Sequence, residues 1–228
     1  YDWRQPGWVL RTSKAHNCLL IDGQGHHYVD GKEGTNQSHA HASILQYIDH
    51  GDSIAWTSDA SSAYEMENYL VIRVLRSVVF QKPDRFLLLD QVELRYDPQP
   101  ISLRFFPDQQ DDQATLQCPG EGQFQIQRPR AHLHARTYDF AGQDLKAESG
   151  KLDLPTSHGD FPFVEIHSPA RLKHHVLTLF HATKPGQAPD FPRVEAWENG
   201  WHVEEEDSPP LTLNLKTPWE PEFTFPVR

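Results

Sequence analysis

Arg76-Ser77-Val78-Val79-Phe80-Gln81, then Lys82-Pro83-Asp84, then Arg85-Phe86-Leu87-Leu88-Leu89-Asp90-Gln91-Val92-Glu93-Leu94, is the stretch that decides the fold. Two apolar runs flank a Pro-Asp turn, which is a hairpin signal. Residues 86–89 are continuously apolar rather than alternating. A strand of that kind is covered on both faces.

Outward from this hairpin the chain keeps the same character. Residues 62–74 could hold a short helical turn, but 69–72, with Val74 beyond, is rich in β-branched side chains and reads better as strand. Further strands are predicted at 102–106, 114–117, 123–127, 132–138, 164–166, 175–180 and 211–215. Val194-Glu195-Ala196-Trp197, joined through Glu198-Asn199-Gly200 to Trp201-His202-Val203, is a second hairpin, because Asn-Gly is a strong hairpin turn. The 18 prolines and 13 glycines fall mostly between these runs, as turns require. Many antiparallel strands separated by turn chemistry define a mainly β protein, an antiparallel two-sheet β-sandwich. The polar stretches 30–39 and 142–161 read as loops. No repeat or internal boundary interrupts the pattern, so 1–228 is expected to be one domain.

Composition narrows the function. With 228 residues, 37% hydrophobic and 23% charged, the chain can bury a sizeable core. A net charge of −11 argues against nucleic acid and anionic membrane surfaces as general partners. No apolar run is long enough to cross a bilayer. The chain has no initiator Met, its single Met is at position 66, and its first residues lack the basic and apolar regions of a signal peptide. It is therefore expected to start inside a longer polypeptide. Cys18 and Cys118 lie far apart with no CxxC, which favours two separate thiols over a disulfide and excludes a thiolate zinc site.

The chemistry-bearing stretch is His16-Asn17-Cys18-Leu19-Leu20-Ile21-Asp22-Gly23-Gln24-Gly25. It places a histidine at the head of an apolar strand that ends in a glycine-rich turn. In a regular strand His16, Cys18 and Leu20 share one face, and Asn17, Leu19 and Ile21 the other. Leu19 and Ile21 are expected in the core, with His16 facing outward or toward a partner domain. A histidine so placed is a metal ligand, a substrate-facing acid or base, or a hydrogen-bonded strand end. His39-Ala40-His41 and His132-Leu133-His134 each set two imidazoles on one face, a spacing that suits zinc. In a chain of fourteen histidines such pairs also arise by chance, and a solvated role is expected for them. His174-His175 points its rings to opposite faces. Asp111-Asp112 and the acidic run 204–207 read as solvated loop. Nucleophile-elbow, P-loop and dinucleotide fingerprints are absent. Trp3, Trp8 and Trp56 are candidates for sugar stacking or for the core.

Three ordered blocks together resemble the heparinase II/III-like polysaccharide lyases. They are Trp8-Val9-Leu10-Arg11-Thr12-Ser13-Lys14-Ala15-His16-Asn17-Cys18-Leu19-Leu20-Ile21-Asp22-Gly23, then Gly51-Asp52 with Ser58-Asp59-Ala60-Ser61-Ser62-Ala63-Tyr64, then the hairpin from Arg76 to Val92. The resemblance implies the C-terminal β-sandwich, a supersandwich, of a larger enzyme whose N-terminal α/α toroid carries the central catalytic residues. Oligoalginate-lyase-like members are the nearest in pattern. It further implies β-elimination on a uronate-containing acidic glycan such as alginate or a glycosaminoglycan, in the periplasm or outside the cell. The implied partners are that glycan and the toroid domain. His16 is the catalytic candidate, and Arg11, Asn17 and His27 are candidates for substrate binding. In some members the matching histidine is a zinc ligand completed by residues that would precede Tyr1; zinc is the one cofactor implied. His26-His27 departs from the family, which has Gln after the second glycine. Two other readings stand beside this one: a non-catalytic carbohydrate-binding or structural sandwich, and a metal-dependent enzyme built on the paired histidines.

Overall fold

The computed structural model describes residues 6–26, 28–29, 32–33, 40–140, 145–197, 200–205, 208–217 and 220–224. Two 3-10 helices, Pro6–Arg11 and Ser13–Ala15, open the chain. The first strands are β1 (Leu19–Ile21), β2 (Tyr28–Val29), β3 (Lys32–Glu33), β4 (Ser43–Asp49) and β5 (Ser53–Asp59). A short helix, α1 (Ser61–Glu65), leads into β6 (Val71–Gln81), β7 (Arg85–Leu94) and β8 (Gln99–Phe105). Then come β9 (Thr115–Gly120), β10 (Gln123–Gln127), β11 (His132–Asp139), β12 (Lys146–Lys151), β13 (Pro162–Arg171) and β14 (Lys173–Thr183). The last are β15 (Arg193–Trp197), β16 (Gly200–Glu205), β17 (Ser208–Thr217) and β18 (Glu220–Thr224).

Two large antiparallel sheets face each other, as the strand pattern predicts. The larger has eight strands in the order β4-β5-β6-β7-β14-β11-β10-β9; the smaller has four, β1-β8-β13-β12. Between them lies the main core, to which β1 gives Leu19 and Ile21, β8 gives Ile101, Leu103 and Phe105, and β14 gives Val176 and Phe180. The opposite face of the large sheet is also covered. Ala55, Val79, Leu87, Leu89, Leu177 and Leu179 pack there with Trp201 and Val203 of β16. A third sheet, β15-β16-β17-β18, thus lies on the outer side of the sandwich. This explains the apolar run in β7: Leu87 and Leu89 face the third sheet, and Phe86 and Leu88 pack toward the main core.

The structure corrects several local readings. Residues 62–74 hold both a helix and a strand. Asp59 accepts the Ser61 N–H (2.8 Å) and the Ser61 hydroxyl, and that hydroxyl oxygen accepts the Val74 N–H (2.9 Å). These local side-chain bonds turn the chain at the start of α1, and β6 follows from Val71, where the β-branched residues lie. The 142–161 stretch is not all loop. It contains β12 and a 3-10 turn at Thr156–His158; β12 is a polar, largely exposed edge strand, so it lacks an apolar signature. Lys32–Glu33 within 30–39 pairs with Tyr28–Val29. β4 and β5 form a hairpin closed at Gly51 (φ +77°), a turn the apolar pattern did not mark. Cys18 and Cys118 carry separate thiols.

His174 and His175 point to opposite faces. Nε2 of His174 donates to the Gln99 carbonyl (2.9 Å), leaving Nδ1 to accept from the Ser168 hydroxyl (3.0 Å). Burial holds the His174 pKa below its ordinary value, and burial, with help from the nearby positive charge of Lys173, lowers that of His175 to about 4. Both rings bind protons more weakly folded than unfolded. Their stabilising contribution is therefore complete above pH ~6.5 and is lost as pH falls, for His175 through about 4. For His175 alone this amounts to about 3 kcal/mol. Urea unfolding at stepped pH is expected to show a midpoint that drops across this interval, and His175→Gln is expected to flatten it. An equally steep drop in the variant would contradict the assignment.

Candidate functional site

His16 does not lie on the strand. β1 begins at Leu19, and His16 is the residue that ends the second 3-10 helix, its N–H bonded to the Ser13 carbonyl (3.2 Å). The face alternation expected from a regular strand therefore does not extend back to it. All three residues of β1 are buried, Leu20 included. Leu20 is covered because the 3-10 segment and the turn after β1 fold over the outer face of the small sheet. The His26 N–H donates to the Ser13 hydroxyl (3.0 Å), and a Cβ on Gly25 would sit 2.3 Å from Ser13 Cβ. Only glycine permits that approach. His16 itself is exposed, so the outward placement expected from the sequence holds.

The hydrogen bonding of this ring fixes its chemistry. Nδ1 of His16 lies 2.8 Å from the Thr12 carbonyl. A carbonyl only accepts, so Nδ1 carries the proton and the neutral ring keeps its lone pair on Nε2. Arg11, the residue before Thr12, is also exposed, with its guanidinium 5.4 Å from the centre of the half-buried Trp8 ring.

Asn17 has a structural part as well as an exposed position. Its Oδ1 accepts the Phe106 N–H (2.7 Å), and its carbonyl accepts from Arg76 (2.7 Å). With Oδ1 engaged, the Nδ2 group is what the side chain can offer to a ligand. His27 and Trp3 lie outside the described residues, and Trp56 is half-buried on β5.

The turn that carries His16 is held from both sheets. From the small sheet, Arg104 stacks its guanidinium 4.5 Å above the Phe163 ring, donates to Glu165 (2.8 Å) and reaches the Lys14 carbonyl (2.7 Å). From the large sheet, Arg76 forms a two-point pair with Asp90, 2.7 and 3.2 Å, and its remaining arm meets the Asn17 carbonyl. The Tyr64 hydroxyl donates to the Leu19 carbonyl (2.6 Å). The sequence reading did not single out Arg76, Asp90, Tyr64 or Arg104 as supports. The signal that could have found one pair is Asp90, a lone carboxylate inside an apolar run, which needs a cation opposite it.

The other candidates stay apart from His16 or are taken up structurally. His132 and His134 share a face of β11, with ring centres 6.2 Å apart, and Nε2 of His134 is bonded to the Thr183 hydroxyl (3.1 Å). Burial, then the neighbouring His132 and His181, lowers the His134 pKa. His41 meets the Ser62 hydroxyl (3.3 Å), while His39 lies outside the described residues. Among the described residues no set of three or more histidine, cysteine or carboxylate side chains is arranged to hold a metal. His16, with Nδ1 on a carbonyl and Nε2 available, has the form of a single metal ligand, but the described residues do not complete a site. Asp111 is held by Arg128 through two short bonds (2.6 and 2.9 Å). No described helix is long and apolar enough to cross a membrane.

The layout of the sheets resembles that of solved heparinases, so at fold level the chain is heparinase-like. A solved heparinase III gene product matches with a TM-score of 0.58 and 14% identity, covering 86% of this chain and 29% of that one. Heparan sulfate lyase from Pedobacter heparinus matches with 0.57 and 14%, covering 83% and 28%. A further heparinase III structure gives 0.58 and 12%, covering 87% and 29%. The chain therefore spans less than a third of the length of these solved chains. No family model and no curated protein matches the sequence.

Proposed function

We propose that this chain is the β-sandwich portion of a polysaccharide lyase that cleaves a uronate-containing acidic glycan by β-elimination. The catalytic base comes mainly from an N-terminal toroid domain, and His16 supplies part of the substrate-facing wall. The observation that carries the reading is the His16 ring itself: exposed, anchored through Nδ1, and left with Nε2 as the atom that exchanges protons. The heparinase-like fold supports it.

In β-elimination the proton at C5 of the uronate leaves, the C4–O bond breaks, and a C4=C5 double bond forms. Negative charge builds at C5 and spreads into the carboxylate as the proton departs. Donors aimed at that carboxylate stabilise the charge. His16, protonated at Nε2, donates to it, with Arg11 and the Nδ2 group of Asn17 as neighbouring donors. The base takes the C5 proton, and an acid protonates the departing O4. The Thr12 carbonyl holds Nδ1–H and so leaves Nε2 as the atom that meets the substrate. Placement in the periplasm or outside the cell fits a polymeric acidic substrate.

The test is activity with and without the rest of the enzyme. The longer polypeptide is expected to produce unsaturated uronate ends from an acidic glycan, seen as ultraviolet absorbance of the new conjugated double bond. The isolated 228-residue chain is expected to produce none. Turnover by the isolated chain would mean that the base resides within it and that the division of labour proposed here is wrong.

A further inference from the structure

We propose that Arg76, anchored by Asp90, is the positioning residue that sets where His16 stands, acting across the meeting of the two sheets through the carbonyl of Asn17. The inference rests on the reading that His16 touches substrate. Arg76 sits on β6 and Asp90 opposite it on β7, paired in the register of the large sheet. Asp90 is 2% exposed. Its carboxylate grips two guanidinium nitrogens, at 2.7 and 3.2 Å, which fixes the plane of the guanidinium. The third nitrogen, Nη1, is thereby held in that plane, and one of its two N–H groups meets the Asn17 carbonyl at 2.7 Å. Burial weakens the charged form of Arg76, but Asp90 more than offsets this, so the guanidinium stays charged.

The small sheet alone does not fix this turn to the large one. β1 pairs only with β8, and its three residues are all the strand it has. Arg104 and Phe106 tie residues 14 and 17 to the end of β8 and just beyond it. Tyr64 and Arg76 are the groups that tie the same segment to the large-sheet side, at the Leu19 and Asn17 carbonyls. The Arg76 contact is on the residue next to His16. A shift of the Asn17 carbonyl therefore moves the imidazole directly, and a misplacement of about 1 Å costs on the order of 10²-fold in rate.

The decisive variant is Arg76→Lys in the active, longer polypeptide. Lysine keeps the charge opposite Asp90 but lacks the second arm, so the ion pair survives while the Asn17 contact is lost. We expect kcat to fall about 10- to 100-fold with KM little changed. The melting temperature is expected to hold. Ser77→Ala is the comparison. Ser77 follows Arg76 on β6, and the change removes its buried hydroxyl pair with Thr57 on the neighbouring strand β5 (2.9 Å) while leaving the Arg76 side chain in place. It should lower the melting temperature and leave kcat unchanged. Wild-type kcat in Arg76→Lys, with His16→Ala already shown to be defective, would overturn the proposal and leave the lyase reading standing. Wild-type kcat in His16→Ala would instead remove the reading beneath it. Failure of Arg76→Lys to fold, seen by circular dichroism, would also overturn it, since Arg76 would then be a strut of the whole sheet.

Discussion

Phe180→Ala is expected to destabilise this chain by about 3–5 kcal/mol. Phe180 is 3% exposed and lies on β14, near the middle of the large sheet. Its ring stacks on Phe86 of the neighbouring strand at 4.3 Å and meets Phe124 of the same sheet edge-on at 5.9 Å. Its contact with Phe105, at 5.4 Å, crosses to the small sheet. Truncation therefore opens a cavity where the two sheets are pressed together and removes three aromatic contacts at once. Each such contact is worth about 0.5–1.5 kcal/mol beyond its area. The measurement is urea unfolding, with a lowered midpoint and an unchanged slope. Ile44→Ala, at a position 68% exposed on the edge strand β4, is the contrast and should change stability by less than about 0.5 kcal/mol. A loss below about 1 kcal/mol at Phe180 would mean that the sheets do not pack there as described.

Most of the architecture was legible in the sequence because most of it is carried by apolar strands joined by turn residues. The hairpin of β6 and β7, the strands from β8 to β11, and the paired strands β15 and β16 fall where their patterns predict. What escaped has a physical reason in each case. β12 is a polar edge strand, so burial leaves no mark on its sequence. The third sheet was hidden because nothing in β16 says which surface Trp201 will cover; its partners, Leu87 and Leu89, are a hundred residues earlier. α1 is a five-residue helix beside a local Asp59–Ser61 turn, too short to show helical periodicity.

The candidate residue could be named from the sequence, but its supports could not. His16 stood out because an exposed imidazole ahead of an apolar strand is unusual in a core-forming segment. Its tautomer depends on the Thr12 carbonyl, four residues back in a 3-10 turn, and a regular-strand reading could not produce that bond. The three sequence blocks acquire a common meaning in the structure. Tyr64 from the second block, and Arg76 from the third held by Asp90, meet the backbone carbonyls of Leu19 and Asn17 in the first. What made the blocks resemble a family is therefore largely the scaffold that holds one turn.

The substitution that matters most is His16→Ala. Removing a donor that stabilises developing charge in such reactions costs about 10²–10³ in kcat. His16 is exposed and its side chain makes one bond, to a neighbouring carbonyl, so the fold should tolerate its loss. The most direct measurement is the rate of unsaturated uronate formation by the longer polypeptide on an acidic glycan, wild type against His16→Ala, with the melting temperatures of both recorded. The account predicts a loss of about 10²–10³ in kcat at unchanged melting temperature. A variant that turns over at the wild-type rate would contradict it.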